Sequence, residues 1–470
     1  MNNIGFKAGV EIHQQVDGHK LFCSCPCLVN DDNIPDVFVN RKLRVVSGET
    51  GRVDQAAAFE MQRDRKFVYQ ACSSSSCLVE LDEEPPHAVN KHALEAALQV
   101  CLLLKCKIVR HVQFMRKTVV DGSNVSGFQR TALVGYDGVL QTSKGLVKID
   151  SVCLEEESAK KVEDRGHEVI YRLDRLGVPL IEVATDASLQ DGVHVQEVAG
   201  LIGMILRSTD KMRRGLGTIR QDINVSIHGH PRVELKGFQD LRSIPKTVEV
   251  EVKRQQESVK AGHIAGEVRK VNPDFSSTFL RPMPGADRMY PETDIPLVHL
   301  SDELLKSIVV PELLTEKALK LEKKFKLSPE LAREVLDIPE FEKMTLTFNN
   351  IHPSIIVRTL AELPKELNTR FGIEPTTLKT SDFETIFKAL NEKKIVQSAV
   401  IDIAYKLAKK EDFNFLDYEV MSDEDLERVV KEIVAQHKGA PFGALMGEVM
   451  RTLKGKGDGK KVADLVKKFS

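Results

Sequence analysis

The chain has 470 residues, of which 42% are hydrophobic and 29% are charged, and its formal net charge is −2 at pH 7. This length predicts about two to four domains with cores that need no disulfide bonds, and the near-neutral charge excludes a globally basic protein while allowing a local basic surface. No apolar run is long enough for a membrane span and the N-terminus lacks a signal-peptide core, so a cytoplasmic protein with reduced thiols is expected.

Residues 1 to 297 are predicted to form an α+β domain rich in antiparallel strands. Runs with strand-like alternation recur, such as "GVEIHQQV", "HVQFMRKTVV", "LVKIDSVCLEEE" and "VPLIEVAT", and turn residues separate them. Helical periodicity is seen at residues 89–105, 190–207 and 245–261. Strands and helices do not alternate strictly, which favours an α+β fold over a doubly wound sheet.

From residue 298 onward the pattern is almost entirely helical. Segments such as "SDELLKSIVV" and "SPELAREVLDIP" begin with a serine that is well placed to cap a helix. We predict a helical domain over 298–405 and a small helical tail domain over 406–470. Residues 451–470 hold seven Lys or Arg against two Asp. This basic end is either a solvated helix face or a contact for a phosphate backbone.

Five cysteines are clustered in two short segments, Cys23, Cys25 and Cys27 in one and Cys72 and Cys77 in the other. Two such groups can converge on one tetrahedral zinc ion, although small buried residues in a reducing cell are the alternative. A tetrahedral zinc ion needs only four ligands, and of the five cysteines we omit Cys27. The remaining cysteines, which lie in apolar patterns typical of a core, are Cys101, Cys106 and Cys153.

Acidic residues occur inside apolar strand patterns. Glu11 and His13 alternate with Val10 and Ile12 in "GVEIHQQ", so both are predicted to lie on one face of a strand. Glu182 lies within "VPLIEV", where burial is costly unless the carboxylate is paired or binds a metal. Carboxylates from separate strands commonly hold a hard cation beside substrate phosphates. A solvated strand face or edge strand is the alternative for each.

Two loops rich in small residues are candidates for phosphate binding. "DGSNVSGFQRT" can present backbone amides to phosphate and contains Arg130, and "FLRPMPGADRMYPETD" places Arg281 and Arg288 in a connection rich in Pro and Gly. Neither GxxxxGK[ST] nor GxGxxG between a strand and a helix occurs, so any use of ATP is not that of a P-loop or Rossmann enzyme.

Seven motifs in this order resemble the B/E family of glutamyl-tRNA(Gln) amidotransferase subunits, and in particular the archaeal E type. They are "GVEIHQQ…HKLFCSC", "CLVELDEEPPHAVN", "DGSNVSGFQRT", "RLDRLGVPLIEVATD", "GTIRQDINVSI", "VELKGFQDL" and "RPMPGADRMYPETDIP". The resemblance covers nearly the whole chain. One departure is that no room exists before "RPMPG" for the insertion, related to a domain of bacterial aspartyl-tRNA synthetases, that the E type normally carries.

The resemblance implies a two-step reaction on Glu-tRNA(Gln). ATP would phosphorylate the γ-carboxylate of the esterified glutamate, and ammonia would then displace phosphate to give Gln-tRNA(Gln). Ammonia would come from an asparaginase-like D-type partner, in a heterotetramer of two D and two E subunits with no membrane association. The implied fold is a cradle-shaped catalytic domain, a helical domain and a tail domain similar to YqeY.

The resemblance also implies roles for individual residues. The catalytic and Mg²⁺- or Mn²⁺-binding residues are expected to be Glu11, His13, Glu155 and Glu182. His13 is a more natural ligand for Mn²⁺, and it alternatively binds through water or positions ammonia. Contacts to substrate or phosphate are expected from Ser126, Arg130, Arg175, Arg281 and Arg288. The structural zinc ligands are expected to be Cys23, Cys25, Cys72 and Cys77. The tRNA-facing lysines of the tail are expected to be Lys454, Lys456, Lys460 and Lys461.

Two alternatives to the transamidase remain. The first is an inactive tRNA-binding relic of the E type, which predicts tRNA affinity without ATP turnover. The second is a B-type subunit of an Asp/Glu-tRNA amidotransferase that works with an amidase partner.

Overall fold

The computed structural model describes residues 4–29, 34–48, 51–238, 240–418, 421–437, 440–453 and 459–469. The chain divides into two compact units, residues 1–313 and 314–470. The predicted division into three domains at 297/298 and 405/406 stays a prediction. No helix within the described ranges is long and apolar enough to cross a bilayer.

The first unit is built on β-strands with a few helices. Its strands are β1 Lys7–Gln15, β2 Val37–Arg41, β3 Lys66–Ala71, β4 Lys107–Ile108, β5 His111–Val112, β6 Phe114–Thr118, β7 Phe128–Thr142, β8 Gly145–Glu156, β9 Lys160–Asp164, β10 Glu168–Arg172, β11 Pro179–Thr185, β12 Ile219–Ser226, β13 Val233–Lys236, β14 Glu267–Val271, β15 Ser277–Pro282, β16 Met289–Pro291 and β17 Val298–His299. Its helices are α1 Gln55–Gln62, α2 Lys91–Leu103, α3 Gly192–Arg207, α4 Ile244–Ala261 and α5 Asp302–Ser307.

The main sheet has eleven strands in the described part of the chain. Ten follow the order β15-β14-β13-β12-β1-β11-β8-β7-β6-β16, and β4 pairs with β7. Every pairing is antiparallel except that of β13 with β14. A four-stranded sheet, β2-β3-β10-β9, and the pair β17-β5 complete the unit. The predicted α+β class with antiparallel-rich strands is confirmed.

One face of the main sheet is covered by α2, α3 and α4, and the apolar core lies between them. The sequence starts these helices well, because Asn90 and Asp191 cap α2 and α3 by accepting from Ala93 N at 3.2 Å and His194 N at 2.9 Å. The strands alternate, so Val10 and Ile12 point into this core while Glu11 and His13 point to the opposite face. That opposite face carries the polar residues described below.

The second unit is helical throughout its described residues. Its helices are α6 Leu314–Phe325, α7 Pro329–Val335, α8 Phe341–Thr347, α9 Pro353–Ala361, α10 Leu363–Phe371, α11 Thr380–Asn391, α12 Val400–Lys409, α13 Asp423–Gln436, α14 Phe442–Leu453 and α15 Gly459–Phe469. Two apolar clusters occur, one built from residues 318–418 and the other from residues 426–466. Ser328 caps α7 as the sequence predicts, accepting from Leu331 N at 3.3 Å.

Candidate functional site

A cleft of about 1010 Å³ lies on the polar face of the main sheet. Strand pairing brings its acidic residues together, because His13 on β1 lies opposite Glu182 on β11 and Glu11 lies opposite Asp222 on β12. Glu234 follows on β13, where it pairs with Asn224. Four neighbouring strands therefore present carboxylates to one place.

Two overlapping groups could hold a cation, and they share Glu11. Ligand atoms of Glu11, His13 and Glu182 all lie within 4.8 Å of one another, and so do those of Glu11, Asp222 and Glu234. The second group already contains a positive charge, because Lys236 Nζ pairs with Asp222 and lies 2.6 Å from Glu234. The first group has only His13, so it is the better candidate for a divalent cation.

His13 is held as a metal ligand would be. Its Nε2 lies 3.4 Å from Asp222, and its buried Nδ1 lies 3.6 Å from Glu182 with no hydrogen-bond partner among the described residues. Contact of one ring nitrogen with a carboxylate leaves the other aimed at the ion in many metal sites. Burial lowers the pKa of His13, but Asp222 and Glu182 outweigh it and raise that pKa to about 9. Without an ion, His13 supplies part of the missing positive charge.

Glu182 shows the same shortage of positive charge. Its side chain is only 17% exposed and lies near Glu155 and Glu11, and partial burial together with Glu155 raises its pKa to about 7. A divalent cation would relieve this repulsion. Two features thus fit a cation of the Mg²⁺ or Mn²⁺ class. His13 Nδ1 has no hydrogen-bond partner among the described residues, and the Glu182 carboxylate is repelled by its acidic neighbours.

Glu155 lies in the cleft but outside both groups. Lys117 on β6 donates to its Oε1 at 2.5 Å, and both side chains are largely buried. Burial alone raises the pKa of Glu155, but Lys117 and His13 lower it to about 2. The structure therefore makes Glu155 the ion-pair partner of Lys117.

Of the four arginines predicted to contact substrate or phosphate, three line the cleft and one does not. Arg175, Arg281 and Arg288 line the cleft. Arg288 is partly buried beside Arg281, and partial burial together with that neighbour lowers its pKa. Among the described residues, no carboxylate forms a salt bridge with Arg281 or Arg288, so both are suited to an anion.

Arg130 and Ser126 do not line the cleft. Arg130 donates from Nε to Glu292 at 2.8 Å and from Nη1 to Glu156 at 3.4 Å, which uses its charge in a buried network. The Ser126 hydroxyl donates to Phe128 O at 3.0 Å. The structure gives both residues local partners where the sequence predicts phosphate contacts.

The cysteines form a second candidate metal site. Ligand atoms of Cys23, Cys25, Cys77 and Glu80 lie within 4.8 Å of one another. Burial and the Glu80 carboxylate raise the pKa of the Cys25 thiol to about 11 and raise that of Cys23 further. Three thiols and one carboxylate this close together could hold a metal ion.

Cys72, one of the predicted zinc ligands, lies outside this cluster. Its sulfur contacts Ile34 O at 3.6 Å and Arg172 at 3.6 Å. Glu80 occupies the fourth position instead and accepts from Cys23 Sγ at 3.0 Å and Cys77 N at 2.8 Å. The fully buried Lys20 lies 3.6 Å from Glu80.

The tail lysines are only partly described. Lys454 and Lys456 lie outside the described residues. Lys460 and Lys461 belong to α15, and Lys461 Nζ lies 2.6 Å from Asp423.

Two family models match the chain. The GatB/GatE catalytic domain matches residues 6–306, and the GatB domain, a model that also bears the Yqey name, matches residues 340–469. The chain belongs to the GatB/GatE family. The catalytic-domain match contains every candidate metal and phosphate residue described above.

Archaeal relatives in the GatB/GatE family match over almost their whole length. The E subunits of the glutamyl-tRNA(Gln) amidotransferases of Methanosarcina barkeri and Methanocaldococcus jannaschii are each 34% identical, over 99% of this chain and 98% of the relative. The corresponding protein of Archaeoglobus fulgidus is 32% identical, again over 99% and 98%. The first two alignments span 620 positions against 470 residues here, so about 150 positions of those relatives have no counterpart, as an E-type chain lacking an insertion predicts.

Sequence reasoning missed several residues of this GatB/GatE site. They are Lys117, Asp222, Glu234, Lys236 and Glu80. A usable signal was present in "IRQDINVS" and "VELK", where polar residues alternate with apolar ones as they do around Glu11. Knowing that β12 and β13 continue the sheet next to β1 was the missing step.

Proposed function

We propose that this chain is the component of a tRNA-dependent amidotransferase that activates and amidates glutamate on Glu-tRNA(Gln), giving Gln-tRNA(Gln). The observation that carries the proposal is the orphaned Nδ1 of His13 between two carboxylates, in a cleft that is also lined by Arg281 and Arg288. A cation site beside anion-binding arginines is the arrangement that phosphoryl transfer requires.

The first step of the proposed reaction is activation of a carboxylate. An oxygen of the γ-carboxylate bonds to the γ-phosphorus of ATP while the bond to the bridging oxygen breaks, which releases ADP. A cation held by Glu11, His13 and Glu182 would neutralise the phosphates and favour this transfer. Arg281 and Arg288, which both line the cleft, would hold the phosphate charge.

The second step is amidation. Ammonia attacks the acyl carbon, phosphate leaves with the former carboxylate oxygen, and the nitrogen loses a proton. Arg281 and Arg288, which contact the phosphate before the step, also stabilise it as the leaving group. We propose that Lys117 positions Glu155 at the floor of the cleft through their ion pair.

A zinc ion at Cys23, Cys25, Cys77 and Glu80 is the proposed structural metal. Three thiolates and one carboxylate are chemically suitable for tetrahedral zinc, and Lys20 offsets part of the negative charge. The loop that carries Cys23 and Cys25 follows β1 in the chain, and Lys20 N donates to Cys25 O at 2.9 Å within it. Zinc would therefore stabilise the strand that carries Glu11 and His13.

The partners follow from the same proposal. Ammonia comes from an asparaginase-like D-type partner, in an assembly of two D and two E subunits in the cytoplasm. The helical unit contacts tRNA through phosphate and shape recognition, with Lys454, Lys456, Lys460 and Lys461 as basic contacts.

The proposal is tested with the purified full chain, Glu-tRNA(Gln), ATP, Mg²⁺ and free ammonium. The tRNA-bound amino acid is released and identified after incubation. Formation of glutamine that needs both ATP and ammonium supports activation and amidation on this chain. Tight tRNA binding with no glutamine under these conditions contradicts the proposal and indicates an inactive tRNA-binding protein.

A further inference from the structure

The loop from Arg213 to Thr218 leads into β12 and is anchored at both ends to the last residues of β1. The buried Gln14 side chain donates from Nε2 to Arg213 O at 3.1 Å and to Thr218 O at 3.0 Å. The backbone of Gln15 adds two hydrogen bonds of 2.9 Å, one to each of the same two residues. Gln14 and Gln15 therefore fix the base of the loop beside the strand that carries Glu11 and His13.

The loop ends in an exposed leucine. Leu216 is fully exposed, and it lies between Gly215 and Gly217, whose φ angles of 115° and 77° favour glycine. Among the described residues, no heavy atom lies within 4 Å of the place where a Cβ on either glycine would be. A large aliphatic side chain at the tip of an anchored loop gains no core packing in the free chain, so its apolar surface is available to a ligand.

The residues that line the cleft with Leu216 indicate the chemistry of a ligand that could bind there. The loop lines the cleft together with the apolar side chains of Ile219 and Leu241, and Ile219 packs within 3.6 Å of the Cβ position at Gly203. Arg207 and Arg220 also line the cleft, where Arg220 pairs with Glu157 at 2.8 Å and Arg207 has no carboxylate partner among the described residues. This part of the cleft thus combines apolar surface with positive charge, whereas the strands beyond it carry the carboxylates.

We infer that Leu216 packs against the purine base of an adenosine nucleotide whose phosphates extend toward the arginines and the cation site. This inference rests on the proposed function and identifies the nucleoside-binding element of that site. Both substrates contain adenosine, because ATP carries one and an aminoacyl-tRNA ends in one. The loop is the same element in either case, and binding measurements distinguish the two sources.

The test compares Leu216→Ser with wild type in the full chain. Two titrations are made at equilibrium, one with ATP and Mg²⁺ and one with Glu-tRNA(Gln), so neither needs turnover. Loss of one leucine contact is expected to weaken binding of one of them about tenfold. Leu216→Met keeps the apolar surface and is expected to stay within about twofold of wild type. Leu146→Ser is the matched control, because Leu146 is also exposed but does not line the cleft.

Each outcome decides the inference. Weaker binding of ATP alone assigns the base to ATP, and weaker binding of Glu-tRNA(Gln) alone assigns it to the tRNA end. Unchanged affinity for both, or equal losses in Leu216→Ser and Leu146→Ser, overturns the inference. Failure of the wild type to form glutamine contradicts the proposed function instead, and these titrations still decide the role of Leu216.

Discussion

Replacing Lys117 by methionine separates the stability of the site from its chemistry. Lys117 lies 2.5 Å from Glu155, and only 14% and 2% of the two side chains are exposed. Methionine has a similar length and keeps the apolar packing of the lysine stem, but it removes the charge. The variant therefore leaves Glu155 buried without its principal partner.

The expected cost follows from the burial of this pair. Removing one partner of a buried ion pair typically costs about 3–5 kcal/mol, because the remaining charge is uncompensated. His13 also lowers the pKa of Glu155 and remains in the variant, so we expect a loss of about 3 kcal/mol, near the lower end of that range. Because residues 1–313 form one unit and the unfolding entropy is about 2.1 cal/mol/K per residue, that loss corresponds to a fall in Tm of about 4–5 °C.

Thermal unfolding followed by circular dichroism measures this effect. The double variant Lys117→Met/Glu155→Gln contains no buried charge at this pair, so it is expected to recover most of the lost Tm. The control is Lys107→Met, whose partner Asp137 lies 2.6 Å away but is exposed, and a loss of less than about 1 kcal/mol is expected. A single variant with a Tm within about 2 °C of wild type, or a double variant no more stable than the single one, would refute the reasoning.

Three further predictions concern the two candidate metal sites and the arginines. Glu182→Gln removes one negative ligand and should slow ATP-dependent glutamine formation more than about 100-fold, while filter binding shows tRNA affinity within about threefold; normal turnover would show that Glu182 holds no catalytic cation. Cys77→Ser should remove bound zinc from the purified chain, and Cys72→Ser should leave the zinc content unchanged, as measured by elemental mass spectrometry. The reverse pattern would support the predicted site of four cysteines, with Cys72 as a ligand. Arg281→Met should raise KM for ATP about tenfold, and an unchanged KM would exclude a phosphate contact there.

The sequence predicts the strand face that carries the site, because strand alternation is a local property. Glu11 and His13 alternate with buried Val10 and Ile12 as the pattern indicates. The pairing of β1 with β12 is a property of the whole sheet, so the proximity of Asp222 to Glu11 is not visible in either segment alone. Single-strand patterns thus find some members of the site and miss their neighbours.

The sequence also does not show which of several similar side chains reaches a site. Arg130 and Arg281 both lie in or beside loops rich in small residues, but only the structure shows that Glu156 and Glu292 occupy the Arg130 side chain. In the same way, Cys72 and Glu80 flank Cys77 in the chain, and the fold brings Glu80 to the cluster. Which of several equivalent side chains reaches a site depends on tertiary contacts that spacing does not encode.

We propose that this chain phosphorylates the γ-carboxylate of glutamate before ammonia attacks it. The most direct measurement uses Glu-tRNA(Gln) whose γ-carboxylate carries ¹⁸O, with the full chain, ATP, Mg²⁺ and ammonium, followed by mass spectrometry of the released phosphate. If the carboxylate is phosphorylated first, one labelled oxygen passes from the carboxylate to each phosphate formed with glutamine. Glutamine formed together with unlabelled phosphate would contradict it.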